Sequence, residues 1–106
     1  MAASPDILAL ARDKIVVFDG GMGTTLQGFG LTPDDYEGHA GLGEILCLTR
    51  PAVVAKAHAR FFAAGVDVVE TNSFGANGVV LADHGLADRT YALARRAAEI
   101  ARRVAT

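Results

Sequence analysis

The chain has 106 residues, 51% of them hydrophobic and 21% charged, with a formal net charge of -2 at pH 7. That is the size of one small domain of about 100 to 150 residues, with too much apolar surface and too little charge for a disordered chain, and its scattered Arg and Lys argue against a nucleic-acid partner. A lone cysteine, Cys47, excludes an internal disulfide, and the absence of a leader pattern or of any apolar run near the roughly 20 residues that span a bilayer predicts a soluble, cytoplasmic protein without membrane contact.

In chain order, Ser4, Pro5 and Asp6 ahead of Ile7, Leu8, Leu10 and Ala11 form a helix start. Ile15, Val16, Val17 and Phe18 are an unbroken β-branched and aromatic run, which predicts a strand covered on both faces and ended by Asp19. From Gly20 to Gly43 glycines and acids dominate, so the segment reads as loop with one turn of helix at 24 to 27; loops of this length are usually functional. Thr49 with Pro51 opens a helix whose apolar stripe is Val54, Ala57, Phe61 and Ala64, with Lys56 and Arg60 facing away and Gly65 as the stop. Val66, Val68 and Val69 make the second strand, ending in Glu70, Thr71 and Asn72. Strand, crossover helix and strand imply two parallel strands with the helix on one face. A short helix at 77 to 83 and a longer one at 86 to 104, striped by Leu93, Ala97, Ile100 and Val104, complete an α/β chain.

The sharpest local signal is Asp19-Gly20-Gly21-Met22-Gly23-Thr24-Thr25, a carboxylate at the C-terminal edge of a strand followed at once by glycines. Ligands of α/β folds bind at that edge. Glycines bring backbone N–H groups close to a ligand carboxylate while Asp19 accepts from an ammonium, so an amino acid suits both groups. A tight strand-to-helix turn with a solvated aspartate fits the same residues equally well. Glu70-Thr71-Asn72-Ser73-Phe74 closes the second strand, beside Asp19 if the strands are neighbours, and reads as a second pocket wall; the plainer reading makes Thr71 and Ser73 turn residues and Phe74 core.

A nucleotide loop competes, but Gly21-Met22-Gly23 has Leu26 where the dinucleotide fingerprint needs its third glycine, and no Gly-Lys-Ser/Thr follows. Cys47, His39, His58 and His84 show no metal-ligand spacing. Cys47 reads as a small buried residue, His58 as a packed one, and His39 and His84 as exposed. The arginines at 95, 96, 102 and 103 read as a solvated helix face near a C-terminus, with Glu99 and Arg103 as an i, i+4 pair.

Asp-Gly-Gly-Met-Gly-Thr at 19 to 24, Gly-Glu-Ile-Leu-Cys-Leu-Thr-Arg-Pro at 43 to 51, Ala-Gly-Val-Asp-Val-Val-Glu-Thr-Asn-Ser-Phe at 64 to 74 and Leu-Ala-Asp-His-Gly-Leu at 81 to 86 together resemble a known family. It is the homocysteine S-methyltransferase domain, in the form of the N-terminal homocysteine-binding domain of cobalamin-dependent methionine synthases. The similarity runs in order from about Lys14 to the end. Betaine-dependent and S-methylmethionine-dependent methyltransferases share the domain, and the middle segment is nearer the cobalamin-dependent branch.

The resemblance implies a TIM (β/α)8 barrel that binds homocysteine at its C-terminal face, with a zinc ion held by three cysteine thiolates activating the sulfur and methylcobalamin as cofactor of the parent enzyme. Asp19, Gly20 and Gly21 would hold the amino-acid end, and Glu70, Thr71 and Asn72 would line the pocket. The zinc cysteines of the family fall beyond Thr106, and Cys47 matches none of them. Gly43 departs from the family, which often has Asn there.

Because a closed barrel takes about 250 residues, the chain is expected to supply only the first two β/α units, an incomplete and by itself inactive barrel. Unpaired strand edges then predict weak stability, and as partners the remainder of the barrel or other copies of the chain. The alternative from another class is a non-catalytic assembly or binding module of an oligomer; a small nucleotide-binding domain is a third.

Overall fold

The structure, a computed structural model, describes residues 6 to 106, so Ser4 and Pro5 of the expected helix start lie outside the described residues. Asp6 caps α1 (Ile7–Asp13), its carboxylate accepting the Leu8 N–H at 2.9 Å. None of the residues of α1 is buried.

The two β-branched runs do pair in parallel, but through a single bridge, Phe18 with Val68. The Asp19 N–H donates to the Val68 carbonyl at 3.1 Å, and the Val68 N–H to the Val17 carbonyl at 3.2 Å. Coverage on both faces is not found: Ile15 is 87% exposed and Val17 and Phe18 are each 46% exposed. Two short segments are too few to form a layer of their own, and the helices that follow them pack mainly on one another.

The glycine-rich stretch carries more structure than expected, with α2 over Met22–Gln27 and a 3-10 turn over Pro33–Tyr36 closed by a capping box of Thr32 and Asp35. A second 3-10 turn, Gly43–Ile45, runs into α3 (Leu46–Thr49). The crossover helix α4 spans Pro51–Ala64 with the proline in its first turn. Thr49 is not its cap; the Thr49 hydroxyl donates to the Asp35 carbonyl at 2.6 Å. The buried residues of α4 are Val53, Val54, Ala57 and His58, so its inner face is turned from the expected stripe and Ala64 is exposed. Gly65 ends it at φ 106°, a left-handed conformation open to glycine at little cost.

The second half is helical: α5 (Gly78–Ala82), whose cap Asn77 accepts the Val80 N–H at 3.0 Å, a 3-10 turn at Ala87–Arg89, and α6 (Thr90–Ala105). On α6 the stripe holds for Leu93, Ala97 and Ile100, with Ala101 buried beside them and Val104 half-buried. Glu99 pairs with Arg95 at 3.9 Å rather than with Arg103.

α4 packs on α6, α3 wedges against both and α2 lies on α4. Leu26, Leu46, Cys47, Val53, Val54, Ala57, Ala97 and Ile100 form the main core, and Leu42, Ile45, Leu81 and Leu93 a second one. Among the described residues, no helix is long and apolar enough to cross a membrane.

Candidate functional site

The parallel bridge fixes where the two polar strand ends go. Because Phe18 and Val68 run in the same direction, Asp19 and Glu70 emerge at the same end of the pair. There Asp19 to Gly23 and Glu70 to Phe74 enclose a hollow of about 380 Å³. Coordinates placing these tips at opposite ends would have separated the two sets of residues; instead all six expected pocket residues, Asp19, Gly20, Gly21, Glu70, Thr71 and Asn72, line one space.

Their environments differ. Both carboxylate oxygens of Asp19 accept the Glu70 N–H at 3.2 Å, so Asp19 braces the rim as well as facing the hollow. Gly20 and Gly21 are exposed, and among the described residues their N–H groups take part in no main-chain hydrogen bond. A Cβ at Gly21 would stand 2.9 Å from the Thr24 hydroxyl oxygen, so any larger residue there would oblige the Thr24 side chain to turn. The Gly21 carbonyl in turn accepts from the hydroxyl of Thr25 at 2.7 Å, which anchors the turn into α2.

Glu70 and Thr71 are exposed, with the Thr71 hydroxyl hydrogen-bonded to that of Ser73. Phe74 is 96% exposed at the mouth, against the plainer expectation of a core residue. Asn72 differs from its neighbours: it is 6% exposed, and its amide nitrogen donates to the Gly43 carbonyl at 3.0 Å. The Cys47 thiol donates to the Asn72 carbonyl at 3.6 Å. Asn72 lines the hollow from a position in which its side chain ties the rim to the Gly43–Ile45 turn.

Glu44 adds to this tie and was not picked out individually from the sequence: it accepts the Gly75 N–H at 3.1 Å. It lay inside a conspicuous motif, but a partner 31 residues away leaves no spacing signal. Gly43 itself contributes its carbonyl, and a Cβ there would meet Leu26 at an ordinary 3.6 Å.

Behind the site, His58 is fully buried, and neither ring nitrogen has a protein hydrogen-bond partner. Burial pulls its pKa below the usual imidazole range, opposed by the Asp19 carboxylate. Cys47 is buried as expected, and burial pushes its thiol up to about 11. Among the described residues, no three His, Cys, Asp or Glu side chains gather as a metal site. A protonated, enclosed thiol in a set without a second cysteine does not fit the three-thiolate zinc centre that the resemblance implies.

Two strand tips with glycines and acids stand around one hollow at the C-terminal end of the bridged pair, the edge at which α/β folds bind ligands. The chain belongs to the homocysteine S-methyltransferase family, whose family model matches residues 16 to 106. It is 48% identical over 100 residues to the methionine synthase of Mycobacterium leprae (strain TN) and 47% identical over 100 residues to that of Mycobacterium tuberculosis (strain ATCC 25618 / H37Rv). Each match covers 94% of this chain and 8% of the relative, so the chain spans about 8% of the length of these curated relatives.

Proposed function

We propose that the chain forms the first two β/α units of a homocysteine S-methyltransferase barrel and supplies the wall that grips the amino-acid end of homocysteine. Convergence of Asp19, the Gly20-Gly21 turn and the Glu70-Thr71 rim on one hollow carries this reading. Asp19 offers a carboxylate for the ammonium, and the exposed N–H groups of Gly20 and Gly21 offer donors for the carboxylate. The thiol then points away from these groups, toward the barrel centre, where methyl transfer would convert homocysteine to methionine. Zinc and methylcobalamin, implied by the family, fall on this reading to residues outside the chain, which by itself is inactive. The setting proposed is the cytoplasm.

Exposure of Ile15, Val17 and Phe18 supports the second half of the reading, that the strand pair completes its sheet with further strands of the barrel or with other copies of the chain.

Amide spectra recorded during addition of L-homocysteine test the reading. The expected result is perturbation at residues 19 to 23 and 70 to 74, reproduced by L-methionine and abolished for a mercapto acid lacking the amino group. Silence of those amides toward both amino acids would overturn it, and perturbation by a dinucleotide instead would favour a nucleotide-binding domain.

A further inference from the structure

His39 and His84 were expected to be separate, exposed histidines, yet the fold brings them together. Their Nδ1 atoms stand 3.3 Å apart, with ring centroids 5.2 Å apart and planes inclined at 73°. Both rings are half-buried. Independent turns hold them: the His39 N–H donates to the Tyr36 carbonyl at 2.8 Å between two left-handed glycines, Gly38 and Gly41, and the His84 N–H donates to the Leu81 carbonyl at 3.1 Å just past α5. Leu42, whose N–H donates to the His39 carbonyl at 3.0 Å, and Leu81 both belong to the second core.

We propose that His39 and His84 form a two-histidine site for a divalent transition-metal ion that takes tetrahedral coordination, such as Zn²⁺ or Co²⁺. A tetrahedral ion with metal–nitrogen bonds of about 2.0 to 2.1 Å sets two ligating nitrogens roughly 3.3 to 3.4 Å apart and, for rings bound along their lone pairs, the centroids about 5.2 Å apart. Both observed separations fall on those values. As a hydrogen bond the same contact is weak, since N–H donors prefer acceptors at roughly 2.7 to 3.2 Å and one ring must give up its favoured tautomer to donate. Imidazole pairs select this class of ion over Mg²⁺ or Ca²⁺, which want oxygen ligands.

The nearest charged residues along the chain are two acids, one of them paired with an arginine. Glu37 lies two residues before His39 and is held by Arg89 at 3.7 Å, and Asp83 precedes His84. The rings supply two ligands and leave the other positions to solvent or to an added group. Protons compete with the metal for both rings, so affinity falls as the pH is lowered. Neither histidine lines the hollow of the proposed substrate site, and the two sites are read out separately.

Calorimetric titration of the 106-residue chain with Zn²⁺ alone, in thiol-free buffer, tests the assignment. One ion per chain is expected, with affinity lowered by about tenfold or more in His39→Ala and in His84→Gln, which keeps a hydrogen-bonding side chain opposite His39. Co²⁺ as a second probe is expected to show the intense visible bands of a four-coordinate ion, lost in both variants, and no thiolate absorption band. Equal Zn²⁺ affinity in the variants, or four-coordinate Co²⁺ bands that persist in them, would overturn the proposal.

Discussion

Asp19 accepts the main-chain N–H of Glu70 with both carboxylate oxygens at 3.2 Å, joining the two segments that frame the hollow. On the proposed reading the same carboxylate meets the substrate ammonium. Asp19→Asn keeps an oxygen for the Glu70 N–H and loses the charge, so homocysteine affinity is expected to fall by about tenfold or more while the thermal midpoint moves little. Asp19→Ala removes both and is expected to cost about 1 kcal/mol of stability as well. Calorimetric titration beside thermal unfolding separates the two effects; an Asn variant that binds normally would remove Asp19 from the ligand.

His58 is expected to make stability sensitive to mild acid. Its pKa is lowered in the folded chain, by burial above all, so the unfolded chain takes up the proton first. The stability held above the unfolded value near 6.5 is therefore lost as pH falls below it. His58→Leu, which fills similar space without orphaned nitrogens, is expected to flatten that dependence and to leave stability at pH 7.5 equal or about 1 kcal/mol higher. Urea titrations at pH 7.5 and 5.5 provide the comparison.

Cys47 is expected to resist alkylation in the folded chain and to react once urea unfolds it, because the thiol is buried and its pKa stands at about 11. At the alkaline end the sign is opposite to that for His58 in direction of pH. The unfolded thiol ionises first, near 9.0, so stability present below that value is lost as pH rises toward about 11. Rapid labelling by iodoacetamide at pH 7.5 without denaturant would contradict the enclosed thiol.

Gly65→Ala isolates a backbone effect. A Cβ there meets nothing within 4 Å, but the φ of 106° is strained for any side chain. The expected cost is about 1 to 2 kcal/mol, read as a lower urea midpoint at unchanged slope.

Self-association is expected of the chain at high concentration, through the open strand pair. Ile15, at 87% exposure, is the natural probe, and Ile15→Lys is expected to shift sedimentation toward monomer. Unchanged sedimentation in that variant would place the contact elsewhere.

The two long helices were the legible part of this fold: Leu93, Ala97 and Ile100 gave α6 its period and Pro51 and Gly65 bounded α4, although the stripe read for α4 was turned from its buried face and α3 and the 3-10 turns left no such signal. The β-branched runs announced a parallel pair, and its direction is what gathers Asp19 and Glu70, but the runs said nothing of how far pairing extends, which depends on neighbours supplying more rungs. The rim residues were visible as polar ends of apolar runs. Inward rotation of Asn72 and its link to Gly43 were not, nor was the clasp of Glu44 on Gly75, because contacts between distant turns leave no periodic trace. His39 and His84, 45 residues apart, were hidden for the same reason.

One consequence lies in how the short ladder ends. At its upper margin the Asp19 carboxylate takes the Glu70 N–H, and at its lower margin the Asp67 carboxylate takes the Val17 N–H at 3.0 Å while holding Lys14 at 2.9 Å. In a longer parallel ladder those two donors would go to main-chain carbonyls. An acid from each segment thus acts as a bookend, and sliding one run along the other would strand a charge against the wrong neighbour. Misaligned annealing, the usual hazard for a run of valines and isoleucines, is checked at both ends by residues that the apolar pattern alone would have dismissed as punctuation.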